Sequence, residues 1–260
     1  MKIKRINIKN EFIRKEYSKK LQIFEEQFSY PLGDKRFYIK HGYENIYDYF
    51  SFFEQLGEVS YIVVEDKSTI VGVGCAILRN ISNYKVWYLC DFKVHKNYCN
   101  KRILENIFRK YFLFFYFKAQ KLIVINMNSP NKNGLVKKLE RIFKCFFLDI
   151  QKLYFYEWNA KDFEQVLFLL DDYVIVHNKN KKDILIDEKP YNIYHLKRKD
   201  EMYQIENFQK VEYQKIKDDD TIMLTLLENE KNDYKLSNPS TIGTIITYGF
   251  KNKHFCSAEI

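Results

Sequence analysis

The residues of this sequence that could do chemistry gather in two stretches. In Tyr88-Leu89-Cys90-Asp91-Phe92-Lys93 one carboxylate stands among apolar neighbours in a strand-like run. A carboxylate so placed can accept a proton, directly or through water, or it can be a strand residue satisfied by a neighbouring Lys or Tyr. A few positions on, Cys99 lies beside Lys101 and Arg102, a setting that lowers a thiol's pKa and suits an anion. His41, in Phe37-Tyr38-Ile39-Lys40-His41-Gly42, could relay a proton or hold an acidic group, and an ordinary loop histidine is the alternative. His177, His195 and His254 are too dispersed for zinc, and the five cysteines form no C-x-x-C pair, so no metal is expected.

These groups sit in a chain with an uneven charge. Residues 1–150 hold 27 Lys or Arg against 15 Asp or Glu, and residues 151–260 hold 16 against 19. The split points to a boundary near 150 and to an anionic partner for the first half, either a phosphorylated cofactor or a nucleic acid. Nucleic acid is disfavoured, because no recognition helix or aromatic sheet motif accompanies the charge. At 260 residues, with 46% hydrophobic and 30% charged, the chain is expected to form two globular domains. The longest apolar run, Tyr111 to Phe117, is far short of the ~20 residues that span a membrane. No leader-like stretch follows the basic start, and scattered cysteines suit reduced thiols, so a cytoplasmic location is expected.

The elements that would position these groups follow from periodicity. Phe12, Tyr17, Leu21, Phe24 and Phe28 mark a helix over 11–29, and Tyr43, Tyr47, Phe50 and Phe53 a second over 46–56. Tyr61 to Glu65, Thr69 to Leu78 and Val86 to Val94 read as an antiparallel meander. A helix is expected over 101–119, a buried strand over 121–127, and a helix over 132–143 capped by Asn128 to Asn131. Past 150 come a strand (153–158), a helix (160–170) and short strands at 173–177, 183–186, 191–196, 222–227, 241–248 and 255–257. The charge runs Lys179 to Lys182 and Asp218 to Asp220 read as solvated turns.

This order resembles the GNAT (Gcn5-related N-acetyltransferase) class over about residues 10–158. Val94-His95-Lys96-Asn97-Tyr98-Cys99-Asn100-Lys101-Arg102-Ile103-Leu104 is similar to the class's V-x-P-x-Y-R-G-K-G-I-G stretch, keeping Val94, Tyr98, Lys101 and Ile103. Cys99 replaces the usual Arg or Gln, and Arg102 and Leu104 replace two glycines. Asn131, with Gly134 and Lys138 beyond it, resembles N-x-x-A-x-x-x-Y, with Lys138 where the acidic Tyr would stand. The resemblance implies an α/β (α+β mixed sheet) fold, with a GNAT-like domain over 1–158 and a mostly β accessory domain over 159–260. It implies transfer of an acetyl group from acetyl-CoA to a primary amine of a small molecule or peptide. The alternative is a decayed GNAT-fold module that binds a CoA-like ligand or a protein partner. Cofactor contacts would come from Phe92, Lys93, Val94, Cys99, Asn100, Lys101, Arg102, Ile103, Leu104 and Asn131, with a strand bulge expected over Cys90 to Val94. Asp91 would then be the general base and His41 a second catalytic candidate near the acceptor; a homodimer is compatible with all of this.

Overall fold

The computed structural model describes every residue except 33–34, 43–47, 82–83, 100, 128–133, 143–147, 179–181, 187–188, 201–207, 251–253 and 260. The first part of the chain forms β1 (Lys2–Arg5), α1 (Glu11–Glu25), β2 (Tyr30–Leu32), β3 (Lys35–His41), α2 (Ser51–Glu54) and β4 (Glu58–Asp66). It continues through β5 (Thr69–Ile81), β6 (Tyr84–Val94), α3 (Ile103–Lys118), β7 (Lys121–Asn126), α4 (Gly134–Ile142) and β8 (Asp149–Asn159). Then follow α5 (Ala160–Phe163), β9 (Tyr173–His177), β10 (Lys182–Ile186), β11 (Lys189–Tyr191), β12 (Ile193–Arg198), β13 (Gln209–Val211), β14 (Thr221–Leu227) and β15 (Thr241–Tyr248).

Eleven strands make one mixed sheet in the order β1-β4-β5-β6-β7-β15-β8-β14-β12-β9-β13. β4, β5 and β6 are the expected antiparallel meander, and β7 joins β6 in parallel after the crossover through α3. The boundary expected at 158/159 falls inside this sheet. β15 lies between β7 and β8, antiparallel to both, so a strand from the second half completes the sheet of the first. The second half is mostly β, as expected.

Alternation along the strands divides the apolar side chains between two faces. On one, Trp87, Leu89 and Val124 meet Leu104 and Phe108 of α3 and Val136 and Leu139 of α4. On the other, Tyr61, Tyr88, Phe155 and Met223 meet Leu21 and Phe24 of α1 and Phe52 and Phe53 of α2. Each such side chain contributes about 1.5–3 kcal/mol when fully buried, and the second cluster draws residues from Ile6 to Ala258. Four further strands, in the order β11-β10-β3-β2, make a small antiparallel sheet that joins the two halves again.

Several elements differ from expectation. The segment holding His41 is a strand, β3, because β10 pairs with it across Ile39 and Lys40. The second helix shrinks to Ser51–Glu54, and the helix expected at 160–170 to Ala160–Phe163 followed by a tight turn. Residues 255–257 pair with no strand and lead into a short 3-10 turn, Ser257–Glu259. Lys182 opens β10 rather than a solvated turn.

Candidate active site

The parallel pairing of β6 and β7 runs only from Val86–Lys121 to Leu89–Val124. Just past it, Asp91 has φ +53° and the register between β5 and β6 slips between Val73 and Cys75. This is a bulge, at the place expected for one. Gly74 opposes it, and a Cβ there would lie 2.6 Å from the Phe92 ring, so the crowded bulge requires a glycine. Asp tolerates the left-handed region better than most residues. Beyond the bulge a cavity of about 570 Å³ opens between the large sheet and the small one.

Asp91 lines this cavity with its carboxylate fully engaged. Oδ2 accepts hydrogen bonds from Tyr49, at 3.0 Å, and from Tyr61, while Oδ1 pairs with the Lys93 ammonium. Lys93 also pairs with Glu25 of α1. Glu25 faces the hydroxyls of Tyr49, at 3.0 Å, and Tyr30, at 3.3 Å. A tyrosine has one proton to give, so Tyr49 serves one carboxylate at a time. Burial works against the Lys93 charge, but Asp91 and Glu25 outweigh it and hold the pKa well above the usual lysine range. Burial and then Asp91 push the Tyr49 and Tyr61 hydroxyls up, so both stay protonated. Glu25 is raised by burial, against the pull of Lys93.

His41 lines the same cavity from the small sheet. Its ring packs on Tyr49 and Phe53, each at a centroid distance of 4.9 Å, and Nδ1 is buried without a hydrogen-bond partner. Burial, with Lys93 and Lys182, lowers its pKa well below the usual value, which leaves a neutral imidazole. The supporting elements are clamped from outside. Arg14 of α1 bonds both Asp48, before α2, and Glu54 within it, and Asp48 also accepts from the backbone N–H groups of Phe50 and Ser51.

The loop after β6 keeps its strand-to-helix geometry. The His95 N–H bonds Val71, residues 96–98 form a 3-10 turn, and Lys101 N–H closes on Tyr98. Arg102 caps α3 with φ +48°, so a position where the resemblance places a glycine still adopts the conformation that favours one. The Arg102 side chain makes no capping hydrogen bond to the first turn of α3, whose N–H groups and positive dipole end suit an anion.

The sequence candidates divide accordingly. Asp91, Phe92, Lys93 and Val94 line the cavity, and the Lys93 ammonium is spent on Asp91 and Glu25 rather than on the loop. Cys99, Lys101 and Arg102 are on the loop, with Cys99 and Lys101 around Tyr98 and His95. The side chains of Ile103 and Leu104 point into the core, so only their backbone can face the loop. Asn100 and Asn131 lie outside the described residues. Sequence reasoning missed Glu25, Tyr49, Lys182, His195 and Glu259. His195 Nδ1 is 2.8 Å from Ser257 Oγ, both on the cavity wall, and Glu259 is held by Arg79, at 2.7 Å, and Lys197, at 2.9 Å. Among the described residues no His, Cys, Asp and Glu cluster could hold a metal, and no helix is long and apolar enough to cross a membrane.

No family model matches the sequence, and no curated protein does. Solved structures give partial likenesses. A presumed acetyltransferase from Thermoplasma acidophilum is 11% identical, over 73% of this chain and 78% of its own, with a TM-score of 0.43. A GNAT family acetyltransferase from Elizabethkingia anophelis, with acetyl-CoA bound, is 16% identical over 36% of this chain and 57% of its own, at 0.29. Glucosamine-6-phosphate N-acetyltransferase from Arabidopsis thaliana is 14% identical over 53% and 88%, at 0.33. The chain's own topology, with a meander, a bulged third strand, a crossover helix and a parallel strand whose pairing stops short of the bulge, follows the order of elements that the sequence resemblance implied.

Proposed function

We propose that this protein transfers an acetyl group from acetyl-CoA to a primary amine held in the cavity between its two sheets. The observation that carries this reading is the parting of β6 from β7 at the Asp91 bulge, which leaves strand backbone facing a cavity of about 570 Å³. The start of α3, with the exposed side chains of Lys101 and Arg102, suits the pyrophosphate of the cosubstrate. The acceptor nitrogen attacks the thioester carbon, the C–S bond breaks and the thiolate leaves. His41, which lines the cavity with a neutral ring, relays the proton lost by the amine. Asp91, committed to Lys93 and two tyrosines, is a positioning residue. It holds Tyr49, and Tyr49 packs against the His41 ring.

The test is CoA release in the presence of an amine panel from pH 6 to 9, with wild type and His41→Gln. The variant should lose ~10²-fold or more in turnover at neutral pH with acetyl-CoA affinity unchanged. The loss should shrink at high pH, where the free amine needs no base. Full activity of His41→Gln at neutral pH would remove His41 from the reaction.

A further inference from the structure

The charges around the cavity bear on which amine it accepts. Each carboxylate at the wall is already matched. Asp91 is taken by Lys93, Tyr49 and Tyr61, and Glu25 reaches the same lysine from α1. Glu259, from the 3-10 turn near the end of the chain, is taken by Arg79 and Lys197. Arg36 and Lys182 add two further cations to the lining. Among the described residues that line the cavity, Arg36, Lys93 and Lys182 face Asp91 and Glu259, three cations to two carboxylates, an excess that disfavours a simple ammonium and attracts an anion.

Lys182 is the cation best placed to use that excess. It is paired with His41 across β10 and β3, so the two side chains leave the small sheet on the same face, and both line the cavity. Its ammonium lies over the Phe52 ring at 4.8 Å, and the His41 ring packs on that same phenyl, at 5.4 Å. Burial and then Lys93 bring Lys182 down to about 8, with Glu25, Asp91 and Cys90 pulling the other way. A partly desolvated ammonium gains from an incoming oxyanion, and its three N–H donors let it serve a ligand in addition to groups of the protein.

We propose that the acceptor is an amine bearing an oxyanion, a carboxylate or a phosphate, and that Lys182 selects it by binding that group while the amine lies toward His41. This rests on the acyl-transfer reading for the role of the amine, but not for the binding of the anion. The test is calorimetric titration of the full chain, with and without CoA, using three amines of similar length: β-alanine, O-phosphoethanolamine and n-propylamine. At least one anionic amine should bind about tenfold or more tighter than propylamine, and the stronger of the two names the oxyanion. Lys182→Met should abolish that preference, and Lys182→Arg should keep it. Equal or tighter binding of propylamine, no measurable binding of either anionic amine, or an unchanged preference in Lys182→Met would overturn the proposal. Failure of CoA to bind would count against acyl transfer and leave the anion preference to be read on its own.

Discussion

At the scale of single residues, two positions combine a left-handed backbone with a functional place, and the two differ in how well the side chain suits it. Asp91 at φ +53° suits its bulge, and Asn would suit it too. Asp91→Asn should fold, because Lys93 keeps Glu25 as a partner, and should bind acetyl-CoA as the wild type does. Its turnover should fall through the loosened Tyr49, and the fall should persist at high pH, unlike that of His41→Gln; a kinetic pH profile of the two variants checks this. Arg102 at φ +48° is a β-carbon residue in a glycine conformation. Arg102→Gly should raise stability by up to about 1 kcal/mol in urea unfolding, the strain relieved by removing Cβ. A loss of stability would mean that the side chain contributes more than the strain costs.

At the scale of elements, the buried Glu25, Lys93 and Asp91 tie α1 to β6. Lys93→Met would leave two carboxylates buried without their cation, and should cost about 3–5 kcal/mol by chemical denaturation. Neither the partnership nor its cost was legible in the sequence, since Glu25 and Lys93 stand far apart and only the packing of α1 on the sheet brings them together. Elements with strong periodicity were legible. The meander, α3, β9 and β15 fall where alternation or an apolar stripe placed them, and the bulge fell where the resemblance put it. β3 was not read as a strand, because its polar aromatics look like loop until β10 covers them. Lys182 was hidden for the same reason, in a run of lysines that looks solvated until a strand pair turns one of them inward. Phe255 to Ser257 has strand-like residues, but its apolar side chains go into the core and its backbone joins no ladder.

For the whole molecule, the place of β15 between β7 and β8 means that the first half lacks a strand of its own sheet. A fragment of residues 1–159 should therefore fail to show a cooperative unfolding transition, and a fragment that melts cooperatively near the full-length temperature would show that the first half folds alone. The buried titratable groups also give the fold an acid limit. Burial lowers His41 and His195 in the folded state well below the ordinary 6.5, so the unfolded chain binds more protons as pH falls through that range and stability drops. For Glu259 burial acts to raise the pKa, but Arg79 and Lys197 prevail and hold it at about 2 against an ordinary 4.5. Its contribution, on the order of 3 kcal/mol, is complete above pH 4.5 and is lost as pH falls toward 2. Urea midpoints at pH 8, 6 and 4 should therefore fall in that order. All these devices serve one cavity at a splayed pair of strands, and the claim that the cavity works on acetyl-CoA is tested most directly by calorimetric titration of the full chain with acetyl-CoA. Saturable binding of one molecule per chain, weakened when Lys101 and Arg102 are both changed to Ala, is the expected result; no heat at millimolar acetyl-CoA would contradict it.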